Sequence, residues 1–414
     1  MKDRDLTELR RRLSRLGGRR RRSTALPLSQ RGSARRLPEG ELVETPHGMA
    51  YRIETRYQAD HTHGANRLRD LLVLDRMPLS EIVPQPGSKS LSIRDLIFID
   101  TETTGLAGGA GTLVFLVGVG TFIEGEFRLR QYFLRDPAEE PGMLSGLEED
   151  LQAAAGFVTF NGAAFDIPLL EMRYMLGLRR RWPLTEWPNL DLLFPARRLW
   201  SRQLADCTLG TLENAILGLQ RTGLDVPGWQ IPRLYLEFLH SGDAAPMNRV
   251  LYHNAIDVLS LVTLATEVLS RYQESRLQSL TDSEALAIAR WHQQAGRAAE
   301  ADLAYQQSLL RAEGDLRLET LRRYAAHLKR QGRHQEALQG WEGWHALAPQ
   351  DPEPCIELAK YFEWRAGDLG QATQWAERAL ASLDHWPDGW RKGQAREAIE
   401  HRLARLARKR RKKL

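Results

Sequence analysis

Strand-like runs stop before residue 200 in this chain, and from about residue 280 onward strand signals are absent. No other feature limits the fold as much. Such segregation calls for a sheet-containing unit first and an all-α unit after it. In the first unit, LIFID reads as a buried strand. LVFLVGVGTF and EFRLRQYFL, separated by Glu124 and Gly125, read as two strands joined by a tight turn. PAEEPGMLSGLEEDLQAAA reads as a helix and GFVTF as another buried strand. NGAAFDIPLLEMRYML then reads as a helix capped by Asn161, and NLDLLF as a fifth strand. Three strands in succession, followed by helix–strand alternation, predict an α/β fold with a mixed sheet flanked by helices. Short alternating pieces within residues 41–66 predict a hairpin that docks on this sheet.

Beyond residue 280, three segments share a register. Gly296, Gly332 and Gly367 are each followed five residues later by Ala301, Ala337 and Ala372, at spacings of 36 and 35. Four residues after each alanine comes Tyr305, Trp341 or Ala376, and Pro349 closes the middle unit. The pattern resembles tetratricopeptide repeats, whose period is about 34. The small residue suits a close crossing of two helices and the glycine ends the first of them. The expected organisation is a basic disordered arm over 1–40, a lead-in hairpin and linker over 41–91, the sheet-containing domain over 92–274, helical-hairpin repeats over 279–390 and a basic helix or tail over 391–414.

Chemistry concentrates in a few acids. Asp100 and Glu102, in LIFIDTETTGL, are two residues apart at a strand end, so both side chains emerge on one face. Carboxylates that close repel each other unless a cation lies between them, and hard divalent ions are the natural occupants. A bare pair of this kind is otherwise two solvated acids. Here Asp166 directly follows the strand GFVTF, and Asp257 lies on the last helix of the same unit. Each acid flanks an apolar element rather than a charged run. Phe165 beside Asp166 suits a base or a ribose, or else the core. Thr103 and Thr104 suit a terminal nucleotide, or else strand-end hydrogen bonding. With Asn161 these are the candidate substrate contacts.

DTETTG, NGAAFD and a closing His/Tyr…Asp helix occur in this order over about 160 residues. They resemble the three motifs of the DEDD (DnaQ-like) 3′–5′ exonucleases, which have an RNase H-like fold. The longer set TETTGLAGGAGTLVFLVGVG, VTFNGAAFDIPLL, NLDLLFPARRLW, LENAILGLQR, DVPGWQIPRLYLEFLHSGD and YHNAIDVLSL resembles the YprB-like branch of that superfamily. The likeness covers roughly 92–270, and helical repeats after the nuclease-like domain are also seen in that branch. It implies that Asp100, Glu102, Asp166 and Asp257 are metal-binding carboxylates for two Mg²⁺ or Mn²⁺ ions. It further implies 3′–5′ hydrolysis of phosphodiesters at single-stranded nucleic-acid ends, with the repeats recruiting a protein partner. The alternative is a catalytically weak nucleic-acid-binding adaptor on the same fold.

Charge points the same way. The net +5 is the balance of +9 over residues 1–40, +8 over 402–414 and −12 over the body between, an arrangement suited to a polyanionic partner. The longest strand-like apolar run, TLVFLVGVGTF, is about half the roughly 20 residues of a membrane helix. The basic N-terminus lacks an apolar h-region, which argues against a secretory signal. Cys207 and Cys355, far apart, read as free thiols in a reducing, cytoplasmic setting. LAGGAGT is not a phosphate-binding loop because no GK[ST] follows. His61 and His63 have no third ligand nearby, so no zinc site is expected. Asp191 reads as a strand-end cap or an outer-sphere acid, Arg197 and Arg198 as a solvated helix face, and Trp229 as an anchor for its Pro/Gly loop.

The stretch YHNAID contains two candidates for the proton acceptor. The family's common versions have Tyr four residues before the last Asp or His five before it; this chain has His253 at −4 and Tyr252 at −5. At about 100° per residue, His253 lies about 40° from Asp257 around the helix and Tyr252 about 140°. His253 therefore shares the carboxylate's face, and its imidazole titrates near neutral pH. Asn254, about 60° off on the other side, is positioned to hold a neighbouring backbone or ring. His253→Ala is expected to lower the rate of phosphodiester cleavage while Tyr252→Phe leaves it nearly unchanged. Initial rates on an end-labelled oligonucleotide check the ranking.

Overall fold

A computed structural model describes residues 37, 39–74, 79–82, 91–105 and 111–413. Nearly all of the expected disordered arm, and residues 106–110 of the Gly-rich loop, lie outside the described residues. The strands are β1 (Glu41–Thr45), β2 (Gly48–Gln58), a small ribbon of β3 (Thr62–His63) and β4 (Asn66–Arg67), β5 (Leu96–Thr103), β6 (Val114–Ile123), β7 (Glu126–Phe133), β8 (Gly156–Thr159) and β9 (Asn189–Asp191). Seven of them form one mixed sheet in the order β1-β2-β7-β6-β5-β8-β9, parallel only at β5–β8 and β8–β9. The expected docking hairpin does more than dock: β2 pairs along β7 and extends the sheet. Glu124 and Gly125 both take positive φ, as the tight turn between β6 and β7 requires. β9 is shorter than the NLDLLF run predicts. The Asp191 carboxylate accepts the Leu193 amide at 3.1 Å, and the chain turns into a helix there.

Besides the single turns Asp70–Val73 and Leu79–Ile82, six longer helices complete this unit among the described residues: α1 (Glu140–Gln152), α2 (Asp166–Gly177), α3 (Leu193–Trp200), α4 (Leu209–Ala215), α5 (Ile231–Ser241) and α6 (Ala245–Tyr272). Strand parity divides the core between them. Leu96 and Phe98 of β5 pack with the Val258–Leu269 part of α6, whereas Ile97 and Ile99 pack with residues of α1 and α2. α6 approaches the sheet where β6 has no side chains. A Cβ on Gly118 would overlap Asn254 Oδ1 and stand 2.9 Å from Val258 Cγ2; one on Gly120 would stand 2.9 Å from Val258 Cγ1. The two glycines of LVGVG thus leave a bare strip for the helix that carries YHNAID.

The helical region is a series of hairpins: α7 (Asp282–Gln294) with α8 (Ala298–Arg311), α9 (Gly314–Arg330) with α10 (His334–Leu347), and α11 (Pro352–Tyr361) with α12 (Leu369–Ser382). Gly296, Gly332 and Gly367 all take left-handed φ in the turns, and Ala301, Ala337 and Ala372 are fully buried. The first hairpin shares the sheet's core: one apolar cluster runs from Phe98 through Leu269 to Ile288 and Tyr305. Glu284 reinforces the joint, accepting from Trp200 Nε1 at 2.8 Å and Arg271 Nε at 2.7 Å. The basic C-terminal segment is a helix, α13 (Trp390–Lys413), held by buried Glu363, which Arg402, Arg405 and Lys409 all reach. Burial alone would raise the Glu363 carboxyl, but hydrogen bonds from Arg405 and Lys409 hold it at about 2. No helix among the described residues is long and apolar enough to cross a membrane.

Gly118→Ala is expected to destabilise the protein by about 1–3 kcal/mol, because the added methyl overpacks the α6 contact. Urea unfolding followed by circular dichroism measures the loss; an unchanged midpoint would mean that α6 can move off the strand at no cost.

Candidate active site

The alternation that divides the core also aims the acids. Asp100 and Glu102 continue the Leu96–Phe98 face toward α6, and Thr101 continues the Ile97–Ile99 face toward α2. The contacts agree. Asn254 Nδ2 donates to Asp100 Oδ2 at 2.8 Å and to the Asp100 carbonyl at 3.2 Å. Asn254 Oδ1 accepts from Gln131 Nε2 of β7 at 2.8 Å, so this fully buried amide ties α6 to β5 and β7 together. On the other face Thr101 Oγ1 donates to Asp166 Oδ1 at 2.5 Å, at the first turn of α2. Acids from both sides of the sheet therefore converge beyond the end of β5.

Asn161 does not cap α2, which begins five residues later. Its φ is +63°, a left-handed value that asparagine tolerates, and its amide donates to Asp191 Oδ1 at 2.7 Å. Asp191 also accepts from the Ala163 amide at 3.1 Å. Gly162 sits so close to Thr159 that a Cβ would stand 2.5 Å from Thr159 Cβ. Asp191 is thus a structural cap, and what it caps is the turn that delivers Asp166.

Burial raises the Asp100 and Glu102 carboxyls well above the usual range, and the charges of Asp257 and Asp166 raise both further. Burial pushes Asp166 up to about 6 despite the Thr101 hydrogen bond. Asp257 is also raised by burial, with His253 and Arg221 opposing the shift. Four buried acids brought together in this way make a candidate cation site, because like charges disfavour the ionised forms and hard oxygen ligands favour a divalent ion. The tightest group is Glu102, His253 and Asp257, whose ligand atoms all lie within 4.8 Å of one another. Asp100 and Asp166 flank it, each with one oxygen held by Asn254 and Thr101 respectively.

His253 and Tyr252 separate as helix geometry predicts. His253 Nε2 lies 3.3 Å from Asp257 Oδ2 and 3.8 Å from Glu102 Oε1. The Tyr252 hydroxyl is turned away, accepting from Thr222 Oγ1 at 3.1 Å. His253 Nδ1 is 2.7 Å from Asp225 Oδ1. Asp225 thus flanks Nδ1, and Nε2 is the nitrogen turned to Glu102 and Asp257.

The remaining candidates sort by their partners. Thr103 Oγ1 donates to the Gly105 carbonyl at 2.7 Å, and Thr104 Oγ1 accepts the Leu113 amide at 2.9 Å, so both hydroxyls hold the loop. Phe165 is exposed beside Asp166 and is not core. Trp229 does not anchor its loop: it is 71% exposed, because the Gly228–Gln230 turn presents it to solvent. That turn adjoins the acids, since a Cβ on Gly228 would stand 4.0 Å from His253 Nε2. Arg198 lies over the Trp291 ring at 4.8 Å and is committed to the helical region. His63 faces Ser260 Oγ at 2.9 Å and is pushed down to about 4, first by burial and then by the charges of His61 and Arg221.

Sequence reasoning missed Glu213, Arg221 and Asp225, which surround His253 and Asp257. As residue types they look like solvated loop and helix charges. The available signal was position: Glu213 and Arg221 belong to LENAILGLQR, and Asp225 begins DVPGWQIP, two of the segments that carry the family likeness.

A mixed sheet with acids toward the end of an inner strand, β5, is the arrangement of an RNase H-like domain, and the family model of the RNase H superfamily matches residues 97–269. The chain is also 32% identical over 369 residues to the uncharacterized protein YprB of Bacillus subtilis (strain 168), covering 86% of this chain and 85% of that protein. The chain belongs to the YprB family.

Asp225→Ala removes the carboxylate beside His253 Nδ1 and, for the nuclease proposed below, is expected to lower cleavage about 10–100-fold, the usual scale for such supporting partners. Cleavage rates and a near-UV spectrum, measured together, separate ring orientation from unfolding; a wild-type rate would show that the ring needs no partner.

Proposed function

We propose that this protein is a metal-dependent nuclease of the DEDD (DnaQ-like) type that hydrolyses phosphodiester bonds from the 3′ end of single-stranded nucleic acid. The observation that carries this reading is the convergence of Asp100, Glu102, Asp166 and Asp257, with an imidazole beside Glu102 and Asp257 and with burial disfavouring the charged form of each acid. In this reading those four acids hold two Mg²⁺ or Mn²⁺ ions. Ions held there would supply Lewis-acid stabilisation of charge on a phosphodiester and lower the pKa of water. His253 Nε2 accepts the proton of the attacking water, and Asp225 keeps the ring oriented. The exposed rings of Phe165 and Trp229 suit stacking on unpaired bases, which is sequence-tolerant. The 279–390 hairpins, read as tetratricopeptide-like, recruit a protein partner, and the basic ends of the chain add phosphate contacts in a cytoplasmic setting.

A second reading, a nucleic-acid-binding adaptor with weak or no cleavage, is favoured by one observation: Arg221 already donates to Asp257. Purified protein incubated with 3′- and 5′-labelled RNA and DNA, with Mg²⁺ or Mn²⁺, decides between the two. The expected result is immediate release of the 3′ label and a ladder shortening from that end, abolished by chelator and by Asp100→Ala. Cleavage that survives either treatment overturns the nuclease assignment, and tight binding without cleavage establishes the adaptor.

A further inference from the structure

We propose that Arg221 is a built-in counter-cation of the carboxylate cluster: it claims one oxygen of Asp257 and opposes the binding of a divalent ion beside it. The inference rests on the reading of these acids as metal ligands.

The guanidinium is planted. Arg221 lies in the segment between α4 and α5, and meets Glu213 of α4 as a two-point fork, Nε to Oε2 at 2.6 Å and Nη2 to Oε1 at 2.7 Å. Glu213 is only 1% exposed. It is fixed from behind by Ser260 of α6, whose hydroxyl donates to Oε1 at 2.6 Å and contacts buried His63 at 2.9 Å. The far side of the same guanidinium enters the cluster. Nη2 donates to Asp257 Oδ1, Nη1 donates to Asp225 Oδ2 at 3.4 Å, and Nη1 lies 3.0 Å from His253 Nδ1. A buried, forked Arg–Glu pair is a costly arrangement unless its remaining donors are satisfied. Here they are satisfied by the acids that define the site.

Two consequences follow for an incoming ion. First, Asp257 is left with Oδ2, the oxygen turned to His253 Nε2, while Oδ1 is already engaged. Second, a fixed positive charge stands one carboxylate away from a doubly charged guest. At an effective dielectric of about 20 and a separation of a few ångströms, that repulsion exceeds about tenfold in affinity. The arrangement lets the cluster keep its shape without an ion. It also biases ion binding toward conditions that add negative charge, such as a bound phosphodiester.

The test is Mn²⁺ binding alone, read from the electron paramagnetic resonance signal of free Mn²⁺ and titrated into the full-length chain. The variants are Arg221→Gln and the paired Glu213→Gln/Arg221→Gln. The paired variant avoids stranding Glu213 unpaired in the core and leaves the local net charge unchanged. Arg221→Gln is expected to bind Mn²⁺ about tenfold or more tightly than the wild type, and the paired variant more tightly by a smaller factor because it also loses the Glu213 charge. Both should also melt at lower temperature without the ion and gain more from adding it. Unchanged or weaker binding in both variants, with saturable binding in the wild type, overturns the counter-cation role and leaves the metal-site reading standing. No saturable binding in the wild type or in either variant overturns both.

Discussion

The structure depends on how closely α6 lies against the bare backbone of β6. Gly118 and Gly120 remove the side chains that would hold a helix off the sheet, and Val258 and Asn254 occupy the space. Only at that distance does the Asn254 amide span from Asp100 to Gln131. The same closeness sets Asp257, one turn further along, beside the end of β5. Moving α6 outward by the width of a methyl group would separate the acid carried by the helix from those carried by the strand.

Once assembled, the cluster has an electrostatic problem that the surrounding residues answer in different ways. Asn254 and Thr101 each occupy one oxygen of an acid with a neutral donor. Arg221 supplies a charge, itself balanced by buried Glu213. Asp225 orients the one imidazole. These partners come from α6, β5, α4 and the coil before α5, so the site is a property of the whole sheet-containing unit. Through the cluster that links Phe98 and Leu269 with Tyr305, that unit also shares its core with the first helical hairpin.

Much of the fold was legible because its signals are local. Short apolar runs bounded by turn residues identified β5 to β8, and the Glu124–Gly125 turn needs only two positive φ values. The glycine–alanine register marked the hairpin turns and crossings, because left-handed φ and close helix approach each select a small residue. The errors were also local in origin. Asn161 looked like a helix cap because asparagine serves caps and left-handed turns equally, and Trp229 looked like an anchor because nothing in its loop shows which way a ring will face. The β1–β2 hairpin was expected to dock on the sheet rather than extend it, since pairing between β2 and β7 is set by partners about 75 residues apart.

The sequence by itself determined which acids share a strand face, and that His253 rather than Tyr252 shares the Asp257 side of its helix. Both follow from fixed backbone periods that need no knowledge of what packs where. Tertiary structure alone decided that Glu213, Arg221 and Asp225 enclose those groups. Their roles arise from charges brought together across the fold by burial, and a residue's spacing from its neighbours along the chain carries no record of that.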